Sequence, residues 1–286
     1  MIKKYTDIVS RFEIEELFAY LFNCSRTDLY SKELAVDQGK ELLLDSLVQR
    51  RLAGEPLQYI TGRADFMGMD FKVRERVFIP RPETEILVNA ALNLLYAKRY
   101  ALCAKRYALN AMRYAPKILD LCTGSGCIAI SIAKAMPAAE IVATDISEDA
   151  LKAARENAVM YDVAERIKFY KGDLFEPLVF DKTNKFDIIV CNPPYIKSSD
   201  MGLLQREVRR EPGCALDGGP DGLEFYRLIA RDASKHLKTK GALFLEIGIG
   251  ESQAARKIFS DERSYMIKDV IKDFVEIDRV LWIDLL

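Results

Sequence analysis

Apolar residues recur at helical spacing across residues 13–53, for example at Leu17 and Leu21. A residue type that returns every three or four positions stays on one face of an α-helix, so this spacing predicts helices with one buried side. The pattern is interrupted across residues 23–31, where Ser and Asp side chains are suited to capping helix ends. We therefore expect residues 1–55 to form a small all-helical domain.

The pattern changes where Gly54 and Pro56 end the helical region. Across residues 59–79, β-prone segments alternate with glycine-containing turns, which is typical of a β-hairpin. The sequence therefore predicts a hairpin within a linker that spans residues 56–82.

Residues 83–286 alternate between strand-like and helix-like segments. The predicted strands of this region are residues 117–122, 140–145, 166–170, 186–191, 241–248 and 280–285. Such alternation favours parallel strands joined by crossover helices, so we expect an α/β domain with a doubly wound, mostly parallel sheet. Ligands of such sheets bind beyond the carboxyl ends of the strands, and the residues that follow each strand are therefore the candidates for chemistry.

Composition and charge narrow the class of protein. The 286 residues are 50% hydrophobic and carry 42 basic and 43 acidic side chains, which fits a folded soluble protein without a bulk charge for nucleic acid or membranes. The first residues lack the apolar core of a signal peptide, and no apolar run reaches the roughly 18 residues of a membrane span. The six cysteines form no C-x-x-C pair and His236 is the only histidine, so we expect no metal site and a reducing, cytoplasmic location.

One stretch departs from this charge balance. Residues 76–118 are strongly basic and contain three tandem seven-residue units, at 97–103, 104–110 and 111–117. We predict that these units extend the helix that begins near Pro82 and that their charges lie in solvent.

A glycine loop follows the first predicted strand, in the segment Asp120-Leu-Cys-Thr-Gly-Ser-Gly126. Gly124 and Gly126 allow a tight turn and close approach of a ligand, and the helix that follows offers unpaired N–H groups. At the end of the second strand, Asp145 is placed to accept hydrogen bonds from the ribose hydroxyls of an adenosine. The loop also satisfies the dinucleotide fingerprint, so on its own it leaves two classes of cofactor open.

The fourth strand runs into Asn192-Pro193-Pro194-Tyr195. Two consecutive prolines restrict the backbone, so the Asn192 side chain and the Pro193 carbonyl are held at a defined place. Two acceptors suit a planar NH2 group, because they orient it and stabilise positive charge that develops on its nitrogen. The tetrapeptide therefore indicates amino-group chemistry, with Tyr195 positioned to stack on the amide plane.

The glycine loop, the acidic turn at Gly172-Asp173-Leu174-Phe175 and the Asn-Pro-Pro-Tyr motif together resemble class I S-adenosylmethionine-dependent methyltransferases. The resemblance implies the following cofactor-binding residues: Cys122, Thr123, Gly124, Ser125 and Gly126 at the methionine end, Asp145 at the ribose, Asp173 and Leu174 beside the adenine, and Asn192 next to the methyl group. It implies that Asn192 and Pro193 are catalytic and that Asn192, Pro193, Pro194 and Tyr195 bind the substrate.

Three further stretches, at residues 56–62, 79–85 and 211–223, resemble the peptide chain release factor N5-glutamine methyltransferases of the HemK or PrmC type. The resemblance covers about residues 50–250. It implies a five-helix-like N-terminal domain, a connecting hairpin and a methyltransferase domain. The implied substrate is the glutamine of the Gly-Gly-Gln tripeptide in class I release factors, with no stable nucleic-acid partner and no membrane.

The chain departs from this family at one position of the glycine loop. Cys122 stands where the family usually has glycine, and its side chain either narrows the cofactor pocket or points toward the sheet. Arg81, Thr84 and Glu85 match the family signature and are predicted to line the pocket, although an acidic residue near Pro82 also suits a helix start.

Three other functions stay open on the sequence. The same chemistry would serve a glutamine of a ribosomal protein. A DNA or RNA base methyltransferase would flip its base into the same pocket, but it needs a basic binding surface, and residues 1–75 carry 11 basic and 13 acidic residues. A binding module that has lost catalysis would not need an intact Asn192-Pro-Pro-Tyr segment.

Overall fold

The computed structural model describes residues 5, 8–32, 34–35, 37–104, 114–178 and 185–286. Within these residues the N-terminal region contains four helices: α1 (Arg11–Phe22), α2 (Asp28–Ser31), α3 (Gln38–Leu52) and α4 (Leu57–Thr61). The Ser10 hydroxyl accepts from the Glu13 N–H in a capping box that starts α1, and Asn23 ends the helix at φ 47°. The helical prediction for this region is confirmed.

The helical region has its own core, which explains its sequence spacing. Ile14 and Leu17 of α1 pack against Leu44 and Val48 of α3, and all four are almost fully buried. Ile60 of α4 belongs to the same cluster, so the predicted linker begins with a helix that packs on this region.

The predicted hairpin is confirmed by strands β1 (Arg63–Phe66) and β2 (Met69–Lys72), which pair antiparallel. Met67 and Gly68 connect them with φ of 55° and 68°. Two positive φ values are the signature of a type I′ turn, whose twist matches that of the flanking strands. Phe66 and Phe71 are buried against the larger domain, so the hairpin is part of its core.

The larger domain is built on a central sheet, which in the described residues has seven strands. They are β3 (Lys117–Leu121), β4 (Glu140–Asp145), β5 (Ile167–Lys171), β6 (Phe186–Cys191), β7 (Leu237–Glu246), β8 (Tyr265–Lys272) and β9 (Asp278–Leu285). Their order is β5-β4-β3-β6-β7-β9-β8, with β9 antiparallel to both of its neighbours and the other pairs parallel. The doubly wound, mostly parallel sheet is therefore confirmed.

The sequence-based strand set missed β8. This strand lies at the edge of the sheet, and of its eight residues only Tyr265 is buried. An edge strand needs no continuous apolar run, so its sequence carries a weaker signal.

Helices cover both faces of the sheet. They are α5 (Thr84–Ala104), α6 (Cys127–Ala135), α7 (Glu148–Met160), α8 (Glu224–Ala233) and α9 (Ser252–Asp261). The first three share one hydrophobic cluster with the sheet, and α8 and α9 share the cluster on the opposite face. Among the described residues, no helix is long and apolar enough to cross a membrane.

The basic stretch is described only in part. Helix α5 begins two residues after Pro82 and continues through the first seven-residue unit to Ala104, as predicted. Residues 105–113, which hold most of the second and third units, lie outside the described residues.

Candidate active site

A cavity of about 1240 Å³ opens at the carboxyl ends of β3, β4 and β6. Every residue predicted to bind the cofactor or the substrate, except Gly126, lines it: Cys122, Thr123, Gly124, Ser125, Asp145, Asp173, Leu174, Asn192, Pro193, Pro194 and Tyr195. The sheet topology brings these residues together, because β3 lies between β4 and β6 and all three strands run parallel. Gly126 instead caps the amino end of α6 behind the loop.

The glycine loop is held in place by two carboxylates. The Gly124 N–H donates to Asp145 Oδ2 at 2.8 Å, and the Thr123 hydroxyl donates to Asp120 Oδ2 at 2.6 Å. Gly124 has φ 57°, and a Cβ placed on it would meet nothing within 4 Å, so this backbone faces open space. At Gly126, φ 82° favours glycine, and a Cβ would lie in a tight contact 3.0 Å from the Cβ of Ala154.

Asp145 ends β4 with both oxygens partly committed. Its Oδ1 accepts from the Ser147 N–H at 2.9 Å, and its Oδ2 accepts from Gly124. Burial raises the pKa of this carboxyl, while the two N–H donors act in the opposite direction. Each carboxylate oxygen has a second lone pair, so Asp145 keeps capacity for the two hydroxyls of a ribose.

Asp120 is fully buried beneath the same loop. Its Oδ2 accepts from Thr123 and from the Ala129 N–H, whereas Oδ1 has no hydrogen-bond partner among the described residues. Burial raises the pKa of this carboxyl to about 7. A buried oxygen without a partner is costly, so Oδ1 is a ready acceptor for a ligand group or a water molecule.

Cys122 adopts the left-handed conformation that favours glycine, with φ 57°. Cys122 lines the cavity, and its side chain packs against the cluster beneath the sheet, next to the buried Cys191 thiol. This contact favours the second alternative raised by the sequence, in which the side chain points toward the sheet.

The turn after β5 is held beside the cavity by two hydrogen bonds to the end of β4. The Gly172 N–H donates to the Asp145 carbonyl at 3.0 Å, and the Leu174 carbonyl accepts from the Thr144 hydroxyl at 3.0 Å. These contacts place the exposed Asp173 and the buried Leu174 on the wall near Asp145.

The Asn-Pro-Pro-Tyr segment leaves β6 and is fastened to a later loop. The Ile196 N–H donates to the Leu216 carbonyl at 2.9 Å, and the Gly218 N–H donates back to the Ile196 carbonyl at 2.7 Å. A Cβ on Gly218 would lie 2.6 Å from the Cα of Tyr195, so the two backbones touch. Pro193 and Pro194 are buried in the cavity wall.

The side chains of this segment are bound by residues that the motif does not contain. Asn192 Nδ2 donates to Thr84 Oγ1 at 3.0 Å, and the Tyr195 hydroxyl approaches Glu246 Oε1 at 3.4 Å. Sequence reasoning missed Glu246 because the predicted strand ran on to residue 248, whereas β7 ends at Glu246, and ligand-binding residues of such sheets are found where strands end.

The three residues that match the family signature have two different roles. Arg81 and Thr84 line the cavity as predicted, and Arg81 pairs with the buried Glu211, which also accepts from the Ile79 N–H at 3.0 Å. The prediction for Glu85 is wrong: among the described residues it is not part of the lining, and its Oε1 accepts from the Met67 N–H at 2.7 Å. Glu85 therefore anchors the hairpin turn.

The helical region closes the far end of the cavity. Arg51 pairs with Glu13 at 2.6 Å and with Glu207 at 3.2 Å, which joins α3 to the segment that follows β6. Arg206 and Arg210 of that segment donate to the Leu52 and Ala53 carbonyls at the end of α3. Guanidinium groups at a helix C-terminus are favourable, because carbonyls there lack helical partners.

Comparisons with known proteins agree with this architecture. The profile of the PrmC N-terminal domain matches residues 9–62, and that of the Methyltransferase small domain matches residues 106–211. A methyltransferase from Pyrococcus furiosus has a similar fold, with a TM-score of 0.52, 18% identity, and coverage of 86% of this chain and 98% of that one.

Two curated relatives are much more similar in sequence. The release factor glutamine methyltransferase of Thermodesulfovibrio yellowstonii is 38% identical over 286 residues, which cover 98% of this chain and 96% of that protein. The protein of the same name from Moorella thermoacetica is 41% identical over 232 residues, or 81% of this chain and 76% of the relative. This chain belongs to the release factor glutamine methyltransferase family.

Proposed function

We propose that this protein transfers the methyl group of S-adenosylmethionine to the side-chain amide nitrogen of the glutamine in the Gly-Gly-Gln motif of class I release factors. The observation that carries the proposal is the single cavity in which the glycine loop with Asp145 faces the Asn192-Pro-Pro-Tyr segment. Family membership supports the choice of glutamine over a nucleic-acid base. Release factors act in the cytoplasm, and the proposal places the protein there.

The described residues fit S-adenosylmethionine. Asp145 offers free lone pairs for the ribose, and the buried Oδ1 of Asp120 lacks a partner beneath the loop that would hold the methionine end. Asp173 and Leu174 form the wall on the adenine side. When bound, the cofactor supplies an electrophilic methyl group on sulfur.

Asn192 and Pro193 orient the glutamine amide. Because Asn192 Nδ2 is used by Thr84, its Oδ1 is the atom left to accept from the substrate. With the Pro193 carbonyl as the second acceptor, both N–H bonds of the amide are engaged. An amide nitrogen is a poor nucleophile, and these acceptors stabilise the positive charge that it gains as the new carbon–nitrogen bond forms.

No general base is required by this arrangement. The methylated nitrogen carries one extra proton, and an N-protonated amide is acidic enough to release it to water. The single histidine does not face the cavity, since the His236 carbonyl accepts from the N–H of Phe186 at the opposite, amino end of β6.

The helical region is proposed to contact the release factor. Ser10, Phe12 and Arg51 line the outer part of the cavity, so a loop that carries glutamine to Asn192 passes this wall. Residues 1–75 carry 11 basic and 13 acidic side chains, which supports a protein partner over a nucleic acid.

The test uses labelled S-adenosylmethionine with either a class I release factor or its Gly-Gly-Ala variant. We expect label on the glutamine of the first, located by mass spectrometry, and none on the second. Enzyme with Asn192→Ala serves as the inactive control. Equal labelling of both release factors, or faster labelling of DNA, RNA or a ribosomal protein, would contradict the proposal.

A further inference from the structure

The Asn192 side chain is tied to a residue that lies far from it in the sequence. Its Nδ2 donates to the hydroxyl of Thr84 at 3.0 Å. Thr84 is the first residue of α5 and only 2% exposed, so water does not compete for this hydroxyl. The contact therefore belongs to the interior of the protein.

Behind Thr84 lies the buried carboxyl of Glu246, at the end of β7. Glu246 is 2% exposed, the Tyr195 hydroxyl lies 3.4 Å from its Oε1, and the Thr84 hydroxyl lies close enough to lower the pKa of the carboxyl. Its Oε2 has no hydrogen-bond partner in the part of the chain that the structure describes. The Glu246 carboxyl thus lies beside Thr84, which binds Asn192 at one end of the Asn-Pro-Pro-Tyr segment, and beside Tyr195 at the other end.

The chemistry of these groups sets a direction along the chain of hydrogen bonds. A hydroxyl has one proton, and a carboxylate can only accept. When Thr84 gives its proton to Glu246, only its lone pairs face Asn192. The Asn192 amide must then present Nδ2 to Thr84, which leaves Oδ1 for the cavity.

We propose that Thr84 and Glu246 are positioning residues that hold the Asn192 amide with its oxygen toward the substrate, and that the anionic form of Glu246 is required for this. The inference rests on the proposed function, because it concerns the acceptor for the glutamine amide. Neither residue touches the substrate in this account, and each acts through Asn192.

Protonation of Glu246 removes the restriction. A neutral carboxyl donates as well as accepts, so Thr84 becomes free to donate to Asn192 Oδ1, and the inverted amide no longer offers an acceptor. The charged and titratable groups around Glu246 are Glu83 at the start of α5, Arg279 on β9, Tyr195, and the thiols of Cys127 and Cys191.

Burial, with a further contribution from Glu83, raises the pKa of Glu246 to about 7, whereas Arg279, Thr84 and Tyr195 act in the opposite direction. The carboxylate form therefore predominates above about pH 7, and kcat should fall as the pH drops below it. Asp120 also has a pKa of about 7, but it supports the cofactor loop, so its titration should change cofactor affinity. Measuring kcat at saturating cofactor separates the two groups.

The experiment measures kcat for release factor methylation between pH 6 and 9. For Thr84→Val we expect kcat to be on the order of 10- to 100-fold lower, since the acceptor for Asn192 is lost while the side-chain volume is kept. Thr84→Ser should restore kcat to within about threefold of the wild type, because it keeps the hydroxyl. Thr61→Val is the matched control, because Thr61 donates to the Leu57 carbonyl within α4, far from Asn192.

Glu246→Gln provides the decisive measurement. The wild type should lose about tenfold in kcat per pH unit below 7, as expected for a single titrating carboxyl, whereas Glu246→Gln should be slower at pH 8.5 and independent of pH over this range. An unchanged acid limb in Glu246→Gln, or full activity of Thr84→Val, would overturn the inference.

Two further measurements distinguish positioning from simple damage. Calorimetric affinity for S-adenosylhomocysteine should stay within about twofold of the wild type in Thr84→Val and Glu246→Gln, because neither residue holds the cofactor. If affinity falls in parallel with kcat, the two residues support the whole cavity and the inference is wrong. If the wild type itself does not methylate a release factor, the proposed function fails instead.

Discussion

The two corners of the cavity are built in different ways. In the cofactor corner, Asp120 holds Thr123 and Asp145 holds Gly124, over separations of 3 and 21 residues. In the substrate corner, Asn192 is held by Thr84 across 108 residues, and the Arg81–Glu211 pair spans 130. The glycine loop and Asp145 come from one stretch of chain, formed by β3, the loop, α6 and β4, whereas the substrate corner is assembled from the linker, the start of α5, β6, β7 and the loop after β6.

The cofactor corner can therefore be positioned by a local motif, whereas the substrate corner cannot. The glycine loop is held by Asp120 and Asp145, which belong to the same short stretch of chain as the loop. The amide of Asn192 depends on how α5 and β7 pack. We therefore expect changes in the cofactor corner to alter affinity, and changes in the substrate corner to alter turnover at nearly constant cofactor affinity.

The largest effect is expected for Asn192→Ala. Loss of one positioned acceptor typically costs about 10²- to 10³-fold in kcat, while S-adenosylhomocysteine affinity measured by calorimetry should persist. Asn89→Ala, at an exposed position of α5, is the control of the same residue type. Retained turnover would contradict the catalytic role of Asn192. A large loss of affinity for S-adenosylhomocysteine would show that Asn192 also supports the cofactor corner.

Asp145→Ala should have the opposite signature. Hydrogen bonds to a charged group are worth about 1.5–3 kcal/mol, so cofactor affinity should fall roughly 10- to 150-fold. At saturating cofactor, kcat should change little. Asp149→Ala, an exposed position in the first turn of α7, is the control. Unchanged calorimetric affinity would mean that another group holds the ribose.

Gly218→Ala tests how closely the substrate corner is packed. The added Cβ would lie 2.6 Å from the Cα of Tyr195 and 2.8 Å from the Gly222 carbonyl oxygen, so the Asn-Pro-Pro-Tyr backbone must shift. We expect a loss of about 1–3 kcal/mol in unfolding free energy and a roughly tenfold lower kcat, with cofactor affinity preserved. At Gly202, where a Cβ meets nothing within 4 Å, the same substitution should be silent in both assays.

Cys122→Gly is expected to have the smallest effect. Cys122 has φ 57°, and relief of the left-handed conformation contributes about 1–2 kcal/mol. Loss of the packing beside Cys191 and the greater freedom of glycine in the unfolded chain offset most of this gain. Thermal unfolding should shift by only a few degrees and cofactor affinity should rise at most several-fold; a large loss of either would show that the thiol is a required part of the wall.

Much of the fold and of the cofactor corner could be predicted from residue patterns. Helical spacing in residues 13–53 and the alternation after Pro116 gave the correct classes of structure, because burial of one face or of a whole strand leaves a periodic trace. The edge strand β8 was missed because only one of its residues, Tyr265, is buried, which leaves little periodic trace in the sequence. Glu85 was misassigned because its contact with Met67 depends on how the hairpin docks against α5.

The sequence by itself determined the doubly wound sheet, the glycine loop and the Asn-Pro-Pro-Tyr segment, because each depends on residues that are neighbours along the chain. Only the tertiary structure showed that Thr84 binds Asn192 while Glu246 lies beside Tyr195, and that Arg51, Arg206 and Arg210 fasten the helical region over the cavity. These contacts join residues separated by roughly 50 to 160 positions. The spacing of apolar residues along the sequence does not reveal such pairs, because they form only when the packing of the sheet and helices brings the segments together.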